Sequence, residues 1–275
     1  MTKDHHWDPG TGPCGPPRLP GFRARVKRGV ARALALGRSP NDPRRGVAIL
    51  AYHNTEPDAD HPWYLDFKGQ MALVEELGYR VVSLDRVLKA LLDTEPPREP
   101  TLAVTFDDGW ASNLDVAFPE LATRRWPATV FVTTSYVGRR PYLGAPELGQ
   151  LIELGIEVGN HSHSHSDLTS LNSDAILADL AECSRRIEDL TGRKPIHFCY
   201  PSGSYNAKVR AVVSRSGMAS ACTGRIGFNR PGTDPFQLKR ITLDAREGPS
   251  ELWTRLAGGY DFLDFKQRLL GRTAV

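Results

Sequence analysis

A parallel α/β fold, and within that class a distorted (β/α) barrel of about seven strands, is what this sequence predicts. Three observations carry the prediction. From residue 47 onward, short β-rich apolar runs alternate with longer helical patterns. The strand runs are apolar throughout rather than alternating, as expected of strands covered on both faces. Seven or eight such units fit into residues 47–275, which suits a closed or partly closed barrel better than a shorter doubly wound sheet.

The first unit is VAILAY (47–52) with a helix over 66–77, and the second is RVVSL followed by DRVLKALLD. TLAVTF (101–106) precedes a helix near 114–124, PATVFVT (127–133) precedes one near 146–154, and IEVGN (156–160) leads toward a long helix from Ser173 to about Thr191. Gly192 closes that helix, as glycine does after a helical C-terminus. IHFCYP, a helix near 206–216, a short strand near Met218, LKRITL (238–243) and a last helical stretch complete the order. In such folds the site lies at the carboxyl ends of the strands, so polar residues there gain weight and those on helices lose it.

Composition narrows the function. The chain is 40% hydrophobic and 24% charged, in the globular range, and is long enough to bury a core without disulfides or a structural metal. Its four cysteines, Cys14, Cys183, Cys199 and Cys222, form no C-x-x-C pair and read as free thiols. The net charge of +3 hides an asymmetry: residues 1–46 hold ten Lys/Arg against three Asp, whereas the remainder is acidic. No basic body for gripping nucleic acid is expected. Residues 1–46 read as a basic Pro/Gly-rich leader, disordered apart from a short amphipathic helix, and 47–275 as the catalytic domain. Phe22, Val26, Val30 and Ala33 recur at helical spacing among Arg23, Arg25, Lys27, Arg28 and Arg32, so residues 22–36 are candidates for peripheral contact with an anionic membrane. With no apolar run long enough to span a bilayer and no secretory h-region, the expected location is the cytoplasm, including the inner membrane face.

Two clusters bear chemistry. Thr105-Phe106-Asp107-Asp108-Gly109-Trp110 ends an apolar strand with two carboxylates that point to opposite sides. One can coordinate a metal while the other addresses water or substrate, although Asp-Asp-Gly turns without function are also common. Asn160-His161-Ser162-His163-Ser164-His165-Ser166-Asp167 follows another strand. Histidines four apart converge on a metal if the backbone between them turns helically, with His163 then pointing elsewhere. Two histidines and one carboxylate suit Zn2+, with Co2+, Ni2+ or Fe2+ as alternatives.

TFDDGW followed by NHSHSHSDLTSL resembles the first two motifs of the polysaccharide deacetylase family, also called the NodB-homology or carbohydrate esterase family 4 domain. The similarity runs from AYHN near residue 51 to LKRI. The resemblance implies a distorted barrel that removes N-acetyl groups from amino sugars of a polysaccharide, oligosaccharide or glycolipid. Asp108, His161 and His165 would hold the metal and Asp107 would be the base. Two departures stand out. Where many members have an arginine and a tyrosine in the third motif, this chain reads Phe198-Cys199-Tyr200-Pro201-Ser202-Gly203, the YPxG form that looks like the poly-N-acetylglucosamine deacetylase branch. Arg240 is the candidate for the missing positive charge. The late histidine that donates the proton in many members is also absent, which leaves His53, or a protonated Asp107 returning its proton, as candidate acid, while His197 reads as a polar strand residue. Trp63, Tyr64, Trp110, Trp126 and Tyr142 are candidates for stacking on sugar. An N-formyl or other linear amide substrate, or a catalytically weak carbohydrate-binding domain, are the alternative readings.

Overall fold

The apolar runs close on themselves. The computed structural model describes residues 22–55, 66–243 and 247–263. Helix α1 (Phe22–Ala35) precedes strand β1 (Ala48–Tyr52), followed by α2 (Phe67–Glu76), β2 (Arg80–Val81), α3 (Leu84–Leu92) and β3 (Thr101–Phe106). Then come α4 (Ala117–Thr123), β4 (Thr129–Val132), α5 (Ala145–Glu153), β5 (Glu157–Asn160), α6 (Ser173–Thr191) and β6 (His197–Cys199). Helix α7 (Ala207–Val213), β7 (Ser220–Ile226), β8 (Leu238–Thr242) and α8 (Pro249–Leu256) complete the chain. The strands pair in parallel in the order β1-β8-β7-β6-β5-β4-β3, and β3 returns to β1 over the full register Ala48↔Leu102 to Tyr52↔Phe106. This is a closed seven-stranded ring. β2 pairs only with the foot of β3, below the point where β4 joins the same strand.

Every residue of β1 and β3 is buried, which is why these strands carry no polar alternation. Outward-facing Leu50, Tyr52, Val104 and Phe106 pack on Phe67, Met71 and Phe118 of the helical layer. Ile49, Ala103, Phe131, Cys199, Cys222 and Leu238, contributed by six different strands, fill the interior together with Leu84, Val87 and Leu91 of α3. Helix α3 therefore plugs the amino-terminal end of the ring, and chemistry is confined to the carboxyl end.

Local sequence sets most boundaries. Asn172 caps α6 by accepting from Ala175 N at 2.8 Å, and Gly192 ends that helix with φ +67. Two elements differ from expectation. The helix expected near 114–124 is shortened to α4, preceded by a single 3-10 turn at Ala111–Leu114. Pro119 lacks an N–H and is tolerated only in the first turn, so the helix cannot begin earlier. The strand expected near Met218 is β7, starting at Ser220 and seven residues long. Its Ser-Ala-Cys-Thr-Gly run has little intrinsic β-preference, and pairing on both edges makes it a strand.

Candidate active site

The site assembles where β1, β3, β5, β6 and β8 end. Asp107 N donates to Tyr52 O at 2.8 Å, the last rung of the ladder between β3 and β1. Asp108 then takes φ +69 and Gly109 φ +77, so the chain leaves the strand sharply. A positive φ is uncommon for a residue with a Cβ, and here it sets the second carboxylate apart from the first.

His161 and His165 both bring Nε2 to 3.3 Å from the same Asp108 oxygen. The intervening backbone is not helical, contrary to the condition set on the spacing: Ser162 has φ +71 and His165 φ +56. A carboxylate on α6 shapes this loop instead. Asp179 accepts from Ser162 Oγ (2.6 Å), His163 N (2.8 Å) and Ser164 N (3.0 Å), while Ser162 Oγ accepts from His165 N at 3.1 Å. His163 points elsewhere, with Nδ1 2.9 Å from Thr134 Oγ1.

The protonation pattern tests whether these residues fit a cation. His161 Nδ1 lies 2.8 Å from the Cys199 carbonyl, which only accepts, so Nδ1 carries the hydrogen and Nε2 faces Asp108. A carboxylate facing an imidazole nitrogen at that distance calls for positive charge between them, either a proton on His161, where burial is outweighed by surrounding acceptors that raise its pKa well above 6.5, or a cation. Asp108, His161 and His165 offer three donor atoms within 4.8 Å of one another, and that set fits a divalent metal. Burial works against charge on Asp108, but its hydrogen bonds with the two histidines hold its pKa well below the carboxylate range. Asp107, His161 and Cys199 form a second, fully buried group.

Asp107 is clamped by Arg240, whose Nη1 and Nη2 each donate to one carboxylate oxygen at 2.7 Å. Both side chains are buried, and Arg240 Nε also donates to Thr223 O at 3.1 Å. Burial raises the Asp107 pKa, yet the guanidinium outweighs it and the carboxyl is held at about 2. Cys199 adds a weak thiol contact to Asp107 at 3.7 Å. His53 stands half exposed over the same carboxylate, with Nε2 3.9 Å away. Asn113 braces it by donating to His53 O (3.0 Å) and accepting from Thr55 N (3.2 Å) and Thr55 Oγ1 (2.6 Å).

An aromatic wall borders the metal residues. Trp110 donates to Asp108 at 3.3 Å and lies 4.9 Å from Tyr142, which stacks on Tyr136 at 4.5 Å; Tyr136 in turn is 5.8 Å from His165. Trp126 packs under Arg124. Trp63 and Tyr64 lie outside the described residues. His197 is remote from this wall: at the foot of β6, buried, its Nδ1 is 2.8 Å from Ser220 Oγ and its Nε2 is 3.4 Å from Asp85. A cavity of about 460 Å³ lined by Arg45, Phe228, Arg230 and Lys239 includes none of the clustered residues. Asp179, Tyr136 and Asn113 were missed from sequence. Asp179 sits on a helix, where polar residues were given little weight, and no motif marks the other two.

Residues 94–221 match the family described as Polysaccharide deacetylase. YxkH of Bacillus subtilis is 22% identical over 198 residues, covering 72% of this chain and 71% of its own. The poly-beta-1,6-N-acetyl-D-glucosamine N-deacetylase of Escherichia coli is 30% identical over 100 residues, 34% of this chain, and the match spans only 15% of that enzyme. Among solved structures, the Streptococcus pyogenes deacetylase PplD in complex with acetate shares the fold with a TM-score of 0.69 and 23% identity, over 76% of this chain and 97% of that one.

Proposed function

We propose, for a chain whose residues 94–221 match the polysaccharide deacetylase family, that this protein is a hydrolase that removes N-acetyl groups from the amino sugars of a glycan or glycolipid. The observation that carries the reading is the convergence of Asp108, His161 and His165 beside an ionised, arginine-clamped Asp107. A divalent cation held by those three, with Zn2+ the favoured identity, would supply Lewis-acid polarisation of the acetamide carbonyl and acidify water.

The chain's own residues carry the remaining steps. Asp107 accepts a proton from the attacking water, a role for which the bidentate Arg240 contact keeps it charged and oriented. Oxygen adds to the acetamide carbon, the carbon–nitrogen bond breaks, and the sugar nitrogen takes up a proton as acetate leaves. His53, on the solvent side of Asp107, is the proposed donor of that proton. Arg240 acts through Asp107 and is a positioning residue. Trp110, Tyr142 and Tyr136 offer ring faces for the sugar beside the reacting acetamide. A peripheral position at the cytoplasmic membrane face belongs to the same proposal, supported by the basic stretch 22–36; no helix among the described residues is long and apolar enough to cross a membrane.

N-acetylated glycans and lipid-linked sugars, incubated with the purified chain with and without added metal, should release acetate in the metal-loaded arm. Release of formate or ammonia from other amides in place of acetate would move the reading to a different linear amide. Metal-independent glycan binding with no product would reduce the chain to a carbohydrate-binding domain.

A further inference from the structure

Among its described side chains, helix α1 meets the barrel through the smallest and leaves Val26, Val30 and Leu34 outside. Ala31 and Ala35 are fully buried, and Ala31 O lies so close to the Gly258-Gly259 corner after α8 that a Cβ on Gly259 would come within 2.3 Å of it. On a separate face Val26, Val30 and Leu34, spaced four apart, are 49%, 45% and 40% exposed, and Leu36 beyond the helix end is 77% exposed. A soluble helix ordinarily turns such a stripe inward. This one does the reverse.

Charge identifies what covers the stripe. Residues 22–38 contain Arg23, Arg25, Lys27, Arg28, Arg32 and Arg38 and no Asp or Glu. Arg28 pairs with Glu247 across 3.6 Å and so helps fix the helix to the body, whereas exposed Lys27 borders the apolar stripe and exposed Arg32 lies on the opposite, polar face. The first turn has no acidic residue, so the helix gains nothing there from its macrodipole and depends on contacts made by its faces. Valine and leucine side chains flanked by cations alone match the boundary between acyl chains and anionic headgroups, where an interfacial helix sinks its apolar face and spreads its basic residues.

We propose that α1 is an interfacial helix that seats the barrel on an anionic lipid surface through Val26, Val30 and Leu34, with Lys27 in the headgroup layer. The inference is independent of the chemistry at the barrel mouth. Docking by the alanine face holds the helix in place before contact, so little ordering cost falls on membrane binding.

The test is co-sedimentation of the full chain with phosphatidylcholine vesicles prepared with and without phosphatidylglycerol. Binding is expected only with the anionic lipid and should weaken as salt rises. The triple variant Val26→Ser, Val30→Ser, Leu34→Ser should lower the partition coefficient at least about tenfold, and Lys27→Glu should do so by about tenfold. Leu92→Ser, which alters an 82% exposed leucine on α3, should leave it unchanged. Absence of binding to anionic vesicles overturns the proposal, as does a triple variant that binds like wild type. An equal loss in Leu92→Ser also overturns it, and so does a wild-type dimer that the triple variant dissolves, because self-association would then account for the stripe.

Discussion

Asp107 and Arg240 form a buried, two-pronged ion pair in which the guanidinium keeps the carboxylate charged. Asp107→Asn keeps the shape but cannot accept a proton; metal content measured by elemental analysis should persist while turnover falls ~10²-fold or more. Arg240→Met should do something different, because it leaves a carboxylate buried and unpaired. Urea unfolding near neutral pH should show a loss of about 3–5 kcal/mol. The pH sign follows from linkage. A carboxyl depressed from 3.8 to about 2 contributes stability that is present above 3.8 and lost as pH falls through about 2. Without the guanidinium, burial raises the Asp107 pKa against only the weaker pull of His161 and His53, and the acidic limb of the kcat/KM profile should move above its wild-type position. His53→Gln should remove or shift the alkaline limb with little effect on metal content; an unchanged limb would exclude His53 as the proton donor.

At the scale of an element, the histidine loop shows how a motif becomes a site. The spacing of His161 and His165 was legible in the sequence, but the helical turn that spacing suggested is absent. Two left-handed residues and the Asp179 carboxylate produce the convergence instead. Asp179→Asn should lower metal affinity by about 10–100-fold in equilibrium dialysis, the range for residues that orient ligands, because its amide group would face the Ser164 N–H with a donor. His163→Ala should retain metal, since that ring contacts Thr134. Equal losses for His163→Ala and His165→Ala would mean that the ligand set is misassigned. Elements with a strong apolar signature, β1 and β3, were readable because burial on both faces leaves its mark in composition. β7 was readable only in part, because neighbouring strands rather than its own residues impose its conformation.

Across the whole molecule the Asp108–His161–His165 cluster joins the end of β3 to the loop after β5, while the hydrophobic core lies apart from it. Chelation should therefore lower Tm without unfolding the chain. Saturation at a thousand times Kd contributes about 4 kcal/mol, and at roughly 2–4 °C per kcal/mol for a domain of this size the midpoint should drop by about 10 °C. Far-UV circular dichroism at room temperature should stay unchanged, and re-addition of metal should restore the midpoint. Collapse of the helical signal on chelation would mean that the cation is structural.

The order of strands and helices, the parallel α/β class and the two strand-end clusters were determined by the sequence itself, because burial and spacing are local properties that residue type records, whereas closure of the ring rests on the β1–β3 pairing. Arg240 illustrates the boundary. Its placement at the end of a late strand was visible, but its pairing with Asp107, 133 positions earlier, exists only because the ring brings β8 and β3 to either side of β1. Asp179 was invisible for the same reason, since it acts from a helix that reaches the site only through packing. The orientation of α1, alanines inward and valines outward, was likewise decided by the tertiary structure: the Gly258-Gly259 corner admits only small side chains, and no local pattern announces which face of a helix another element will accept.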